Sequence, residues 1–173
     1  LVSSSAASDV YKRQFVIHGA IHNDFPQWKV VFHAHVPDAL AVTALKDGFQ
    51  HLVQDTSMLY GDIGYHDWEG LSLTLEERER LAANMEGKRA LIMRNHGFLT
   101  VGETAGEAFM VMHYLVRGCR ALLAAAGSGL ELDPGPTDIW ELSKRQYDHF
   151  PLGKHEWPAL LRLCDQLDPG YKQ

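Results

Sequence analysis

The segment that most constrains this chain is Arg89–Val101, RALIMRNHGFLTV. Arg89–Arg94 is an apolar run bracketed by two arginines and reads as a buried strand. Asn95-His96-Gly97 breaks it, and Phe98–Val101 resumes an extended segment. Thr104 and Glu107 then carry capping-box spacing, and Ala108, Val111, Met112, Leu115, Cys119 and Leu122 follow at helical intervals up to Gly127. A strand pair feeding a long core helix is therefore expected over residues 89–127.

The flanking segments alternate in the same way. Phe15–Asn23 places Phe15, Ile17 and Ile21 at helical spacing, and Phe25-Pro26 ends that helix, because a residue before proline avoids the helical region. Trp28–His35, WKVVFHAH, is a β-branched and aromatic strand, and Pro37-Asp38 opens a helix over Asp38–Lys46. Phe49–Glu69 reads as short strands separated by turns at Gly61, Asp62 and Gly64. Thr74 and Glu77 repeat the capping-box spacing ahead of LEERERLAANM, a helix whose charges predict a solvated face and which stops near Gly87. Leu130–Pro136 is a linker before two amphipathic helices, Asp138–Phe150 and Glu156–Leu167. The order is that of a single α/β domain without internal repeats.

Composition narrows the function classes. With 46% hydrophobic and 22% charged residues, the 173-residue chain can bury a sizeable core. Its net charge of −6 and scattered basic residues argue against a nucleic-acid partner. The uninterrupted apolar stretches fall short of the roughly 20 residues a membrane span needs. Two lone cysteines, Cys119 and Cys164, lie in helical segments and read as reduced thiols, which points to a cytoplasmic protein. Leu1–Gln14, LVSSSAASDVYKRQ, differs in composition from the rest of the chain and resembles translated sequencing-adapter read-through, so Phe15 is expected to be the first native residue.

Ten histidines carry the chemical interest. In His33-Ala34-His35 the period of two along a strand projects both imidazoles from one face. His96, in Asn-His-Gly at the end of a second strand, is a third donor, and Gly97 is expected to let the backbone turn sharply there. Three imidazoles with an open position are the ligand set of a catalytic zinc ion, in which the metal acts as a Lewis acid or activates water. His18 and His22, one helical turn apart, read as a partly exposed pair, and His113 as an edge-of-core residue. Tyr60, Tyr65 and His66 cluster with Asp62 and Asp67 in the turn-rich middle segment, where a Tyr or His is a candidate acid/base or substrate contact. Phosphate-loop, dinucleotide-binding, nucleophile-elbow, CxxC and HExxH patterns are lacking.

The order FVIHGAIH, a strand ending HAH, YGDIGYHDWEG, LTLEERERL and RALIMRNHGFLTVGETAGEAFMVMHYL resembles the class II aldolase/adducin family, in particular its adducin head-like bacterial branch. The likeness is strong over Phe15 to about Gly127 and looser beyond. It implies a three-layer α/β/α sandwich around a mainly antiparallel sheet, here incomplete at the N-terminus, with residues 15–173 part of the head domain. By matching motif it assigns His33, His35 and His96 to zinc or another divalent metal. It also implies aldolase or epimerase chemistry on a small hydroxy-carbonyl or sugar-phosphate substrate, through chelation of a carbonyl and adjacent hydroxyl, in a homo-oligomer, commonly a tetramer. The glutamate that serves as base in such enzymes matches Gln14, and their phosphate-binding loop lies on upstream strands, so this stretch alone is expected to be inactive. The adducin side of the family implies a different role, a non-catalytic module that binds actin filaments. The intact histidine set favours the enzyme.

Overall fold

The computed structural model describes residues 17–70 and 75–172. The leader-like segment 1–14, the start of the first helix and the Thr74 cap lie outside the described residues. Helix α1 covers 17–24. It is followed by β1 (Val30–Ala34), a 3₁₀ turn at Leu40–Ala44, a second at Gln54–Leu59, β2 (Ile63–His66), α2 (Leu75–Met85), β3 (Ala90–Met93), β4 (Gly97–Gly102), α3 (Ala105–Gly127), α4 (Thr137–Tyr147), α5 (Glu156–Leu167) and a last 3₁₀ turn at Pro169–Lys172.

The four strands form one sheet in the order β1-β4-β3-β2. β4 pairs antiparallel with both β1 and β3, and β2 pairs parallel with β3. The mainly antiparallel sheet follows from the short Asn-His-Gly connection, because two strands joined by so few residues can only run antiparallel. Strand alternation then divides the core. Ala90, Ile92 and Phe98 join Val111, Leu115, Cys119 and Leu122 of α3 on one face. Val31, Leu91, Met93, Leu99 and Val101 meet Ile17 and Ile21 of α1 and Leu81 and Met85 of α2 on the other. Helices on both faces of the sheet give the three-layer α/β/α sandwich.

Two segments depart from the sequence reading. Asp38–Lys46 forms only the 3₁₀ turn Leu40–Ala44, in which β-branched Val42 and Thr43 are buried and the Thr43 hydroxyl donates to the Leu40 carbonyl at 2.8 Å. Such side-chain bonding competes with a regular helix. Phe49–Glu69 holds one strand, not several. Its first half is the 3₁₀ turn Gln54–Leu59, closed by Thr56 Oγ1 to Val53 O (2.9 Å) and Ser57 Oγ to Gln54 O (2.8 Å).

α3 is the central helix. The Thr104 hydroxyl accepts from Glu107 N (3.2 Å), and the Glu107 carboxylate accepts from Glu103 N (2.9 Å) and from Arg89 Nη2 (2.6 Å), which ties the start of α3 to the start of β3. Among the described residues α3 is the one helix long and apolar enough to cross a bilayer, by length and composition alone. Its apolar face packs against the sheet. Midway along it, Gly118 sits where a Cβ would collide with the Thr56 methyl group and come within 2.7 Å of Phe49 Cζ. Glycine here lets the 3₁₀ segment lie directly on the helix. Gly118→Ala, which in an exposed helix would stabilise, is expected to destabilise this protein by about 1–3 kcal/mol through overpacking. A lowered urea midpoint with unchanged slope would show it.

Candidate metal centre

β1 and the β3–β4 turn bring three imidazoles to one end of the sheet. His33 stands opposite Leu99 in the register and therefore shares the sheet face covered by α1 and α2. His35 lies just beyond the strand end, two residues along. His96 is carried by the turn after β3. The ring centroids of the three are 4.8–4.9 Å apart, and one ligand atom from each lies within 4.8 Å of the others. The same-face projection expected of His33 and His35 is what the strand produces.

The turn is pinned on several sides. Asn95 has φ of 56°, a left-handed conformation that asparagine tolerates better than most residues. Its N–H donates to Thr43 O at 3.1 Å, His96 N–H to Met93 O at 3.1 Å and Arg94 N–H to His66 O at 2.8 Å, and Arg94 Nη1 reaches Leu45 O at 3.0 Å. The sharp turn expected at Gly97 thus belongs to Asn95. Gly97 is needed for a different reason: a Cβ there would stand 2.7 Å from His35 Cδ2 and 2.9 Å from Ala34 O. The missing side chain makes the space in which the His35 ring lies.

Hydrogen bonding fixes the tautomers. His33 Nδ1–H donates to Phe98 O at 3.0 Å, which turns the Nε2 lone pair toward the cluster. His35 Nε2 lies 3.0 Å from His33 Nε2, close enough for one N–H to bridge them. Burial, followed by the neighbouring His96 and His35, pushes His33 down to about 4. Burial and His35 also lower His96, while the Glu77 carboxylate pulls it the other way. At neutral pH His33 is therefore an unprotonated donor. Tetrahedral zinc, with Zn–N bonds of about 2.0–2.1 Å, needs ligand nitrogens roughly 3.3 Å apart. The all-nitrogen donor set suits such an ion, and the 3.0 Å separation of His33 Nε2 and His35 Nε2 is close to that spacing.

The remaining candidates take other places. His66, buried at the end of β2 opposite Met93, lies at the same end of the sheet as His96. The Tyr65 hydroxyl accepts from Phe49 N (2.9 Å), and its ring lies 4.8 Å beneath the Arg94 guanidinium. Tyr60 precedes β2, at the opposite end of the sheet, and packs with His51 and Trp140 at 5.2 and 6.2 Å. His22 Nδ1 is within 3.1 Å of Trp28 O, a structural bond, and His18 lies half-buried beside the cluster. Sequence reasoning misses Glu77, which it puts on a solvated face. The residue is 4% exposed and faces His66, with Nε2 to Oε1 at 3.5 Å. The signal is present in the spacing, since Glu77, Leu81 and Met85 share one helical stripe.

With this geometry in view, comparison with known proteins decides the family. The family described as Class II Aldolase and Adducin N-terminal domain matches residues 4–123. The chain belongs to the class II aldolase and adducin family. It is 36% identical over 160 residues to an aldolase class 2-type protein of Caulobacter vibrioides, covering 91% of this chain and 62% of that one. It is 34% identical over 173 residues to mouse alpha-adducin, covering 91% and 23%. The solved structure of an aldolase II superfamily protein from Pseudomonas syringae superimposes with a TM-score of 0.86 at 34% identity, covering 92% and 65%. An L-fuculose 1-phosphate aldolase from Glaciozyma antarctica shares the fold at a TM-score of 0.76 and 23% identity, covering 91% and 59%. The chain thus spans about three fifths of the length of the bacterial relatives it matches.

Neutral buried imidazoles have a stability signature. A group whose pKa is about 4 when folded and about 6.5 when unfolded takes up protons preferentially in the unfolded chain as pH falls between those values. His33 and His51, both near 4, make the metal-free protein lose melting temperature from about pH 6.5 down to 4, a window that opens above the range in which ordinary carboxylates titrate. A melting temperature constant over that range would show both rings to be solvated.

Proposed function

We propose that the protein is a metal-dependent enzyme of the aldolase or epimerase type, acting on a small hydroxy-carbonyl or sugar-phosphate substrate, with zinc or another divalent ion held by His33, His35 and His96. The observation that carries this reading is the convergence of three imidazoles on one point. A cation at that position supplies Lewis acidity toward a carbonyl and an adjacent hydroxyl.

The chain's own residues supply the rest. His33, oriented by the Phe98 carbonyl, and His96, oriented by the Asn95 turn, present unprotonated nitrogens at neutral pH. The His35 ring, seated over Gly97, borders the same space. Residues 1–16, which include the position where the family likeness puts a carboxylate base, lie outside the described structure. A cytoplasmic location and a homo-oligomeric state, commonly tetrameric in the family, belong to this reading.

The similarity to alpha-adducin over 91% of this chain supports a second reading, a non-catalytic module of the adducin kind that engages actin filaments. The three imidazoles weigh against it, because a scaffold does not require convergent, oriented donors.

Metal analysis separates the two. The protein is expected to carry about one divalent ion per chain by inductively coupled plasma mass spectrometry, and His33→Ala or His96→Ala to lose most of it, because two imidazoles do not close the site. Gly97→Ala is expected to lower metal affinity without touching a ligand, by displacing the His35 ring. Unchanged metal content in both histidine variants would overturn the enzyme reading, and an unaltered protein that takes up no zinc while co-sedimenting with actin filaments would establish the adducin one.

A further inference from the structure

His35 and His96 come from segments far apart in the chain, and these segments are held to each other by contacts outside the cluster. Beyond His35 the chain passes through the first 3₁₀ turn, Leu40–Ala44, and on to Phe49. Just ahead of His96 stand Arg94 and Asn95. Two carbonyls of the first segment accept from the second: Thr43 O from Asn95 N–H at 3.1 Å, and Leu45 O from Arg94 Nη1 at 3.0 Å. The first bond is made by backbone and is open to any residue at 95 except proline. The second depends on the Arg94 side chain alone.

Tyr65 steers that side chain. Arg94 Cζ lies 4.8 Å from the centre of the Tyr65 ring, at cation–π distance. The ring is fixed at its far end, where the hydroxyl accepts from Phe49 N–H at 2.9 Å. Gly48, at φ of 70°, leaves the space against it, since a Cβ there would come within 2.6 Å of the hydroxyl oxygen. Tyr65 therefore touches both the guanidinium and the loop that supplies Leu45 O. That carbonyl also accepts from Gly48 N–H at 3.0 Å, so the loop closes on itself and on the arginine at one point. Asp67 is a weaker anchor: its carboxylate is 3.6 Å from Arg94 Nε and 89% exposed, and water screens the pair.

We infer that Tyr65 and Arg94 are a positioning pair for the metal centre: the tyrosine ring holds the guanidinium on Leu45 O, and the guanidinium sets how closely the segment after His35 lies against the turn that carries His96. The inference rests on the metal reading above and adds to it two residues that touch no ion. Arginine suits the place because a guanidinium stacks on a ring through its face while donating through its edge. The backbone bonds of the turn, Asn95 N–H to Thr43 O and Arg94 N–H to His66 O, survive loss of either side chain. Such a loss accordingly keeps the fold and shifts the turn, and a ligand set with short bonds of fixed direction registers a small shift as lost affinity.

The test combines zinc affinity, by competition with a chromophoric chelator, with the visible absorption of the cobalt(II) form, whose intensity reports coordination geometry, and the melting temperature of the metal-free protein. Arg94→Met and Tyr65→Leu are each expected to weaken zinc binding about tenfold and to change the cobalt band. The double variant should bind about as well as the weaker single one, because the two residues act as a unit. Tyr65→Phe keeps the ring and removes the acceptor of Phe49 N–H; it should melt lower than the parent, yet bind zinc to within a few-fold and retain the parent's cobalt band. Zinc affinity and a cobalt band like the parent's in both Arg94→Met and Tyr65→Leu overturn the inference while leaving the metal centre standing. Additive losses in the double variant, or losses that follow melting temperature alone and include Tyr65→Phe, make the two residues ordinary packing contacts and overturn it as well. A parent protein that binds neither zinc nor cobalt overturns the metal reading itself, and this inference falls with it.

Discussion

The left-handed backbone at Asn95 is the constraint on which the site depends. A non-glycine residue at φ of 56° costs on the order of 1 kcal/mol, and it persists only because its surroundings prescribe it. The prescription comes from three acceptors on two separate pieces of chain: Thr43 O accepts from Asn95, His66 O from Arg94 and Leu45 O from the Arg94 guanidinium. These acceptors lie on the first 3₁₀ segment, just after it and on β2, so the turn is correct only when the edge of the sheet and the loop after β1 are both in place. The histidine constellation accordingly depends on the whole fold. The same turn sets β3 antiparallel to β4, and β1, with His33 in it and His35 just past its end, pairs with the far side of β4.

Strand alternation then assigns the two faces of the sheet to different tasks. The face toward α3 holds the larger hydrophobic cluster. The face toward α1 and α2 is apolar at its centre, with Leu91, Leu99 and Val101, and polar at one end, where His33 and His66 take the next same-face positions in their strands. A change of one residue in register would turn His33 into the opposite layer. Close packing of Leu91 and Leu99 between the neighbouring strands and helices is therefore what keeps the donors facing one another.

The parts of this arrangement legible in the sequence are those governed by local pattern. WKVVFHAH and RALIMR are strands by composition, and the period of two is enough to place His33 and His35 on one side. Thr104 and Glu107 mark the start of α3 correctly because a cap is a local hydrogen-bond exchange. The segment 49–69 is not legible. Its 3₁₀ turn is closed by hydroxyl-to-carbonyl bonds from Thr56 and Ser57 and by the bare surface at Gly118, some sixty residues further along the chain. Gly97 reads as a turn-former when its role is the space it leaves for His35, a distinction that only the tertiary approach of β1 reveals. Glu77 reads with its charged neighbours on α2, and its burial follows from a stripe shared with Leu81 and Met85 that composition alone obscures.

The site joins two electrostatic arrangements within one wall of the sheet. At His33 and His96 burial makes protonation unfavourable, so these two rings are held as lone-pair donors. At Glu77 a carboxylate is buried beside the His66 ring, whose Nδ1 lies 3.1 Å from the Asn84 amide. Neither arrangement is the most stable use of those positions, since apolar residues of similar volume would cost less. Both place polar groups at the same end of a sheet face that is otherwise apolar. Histidines and a glutamate therefore stand together at the one end of this face that is not apolar, and the packed centre of the same face is what holds them there.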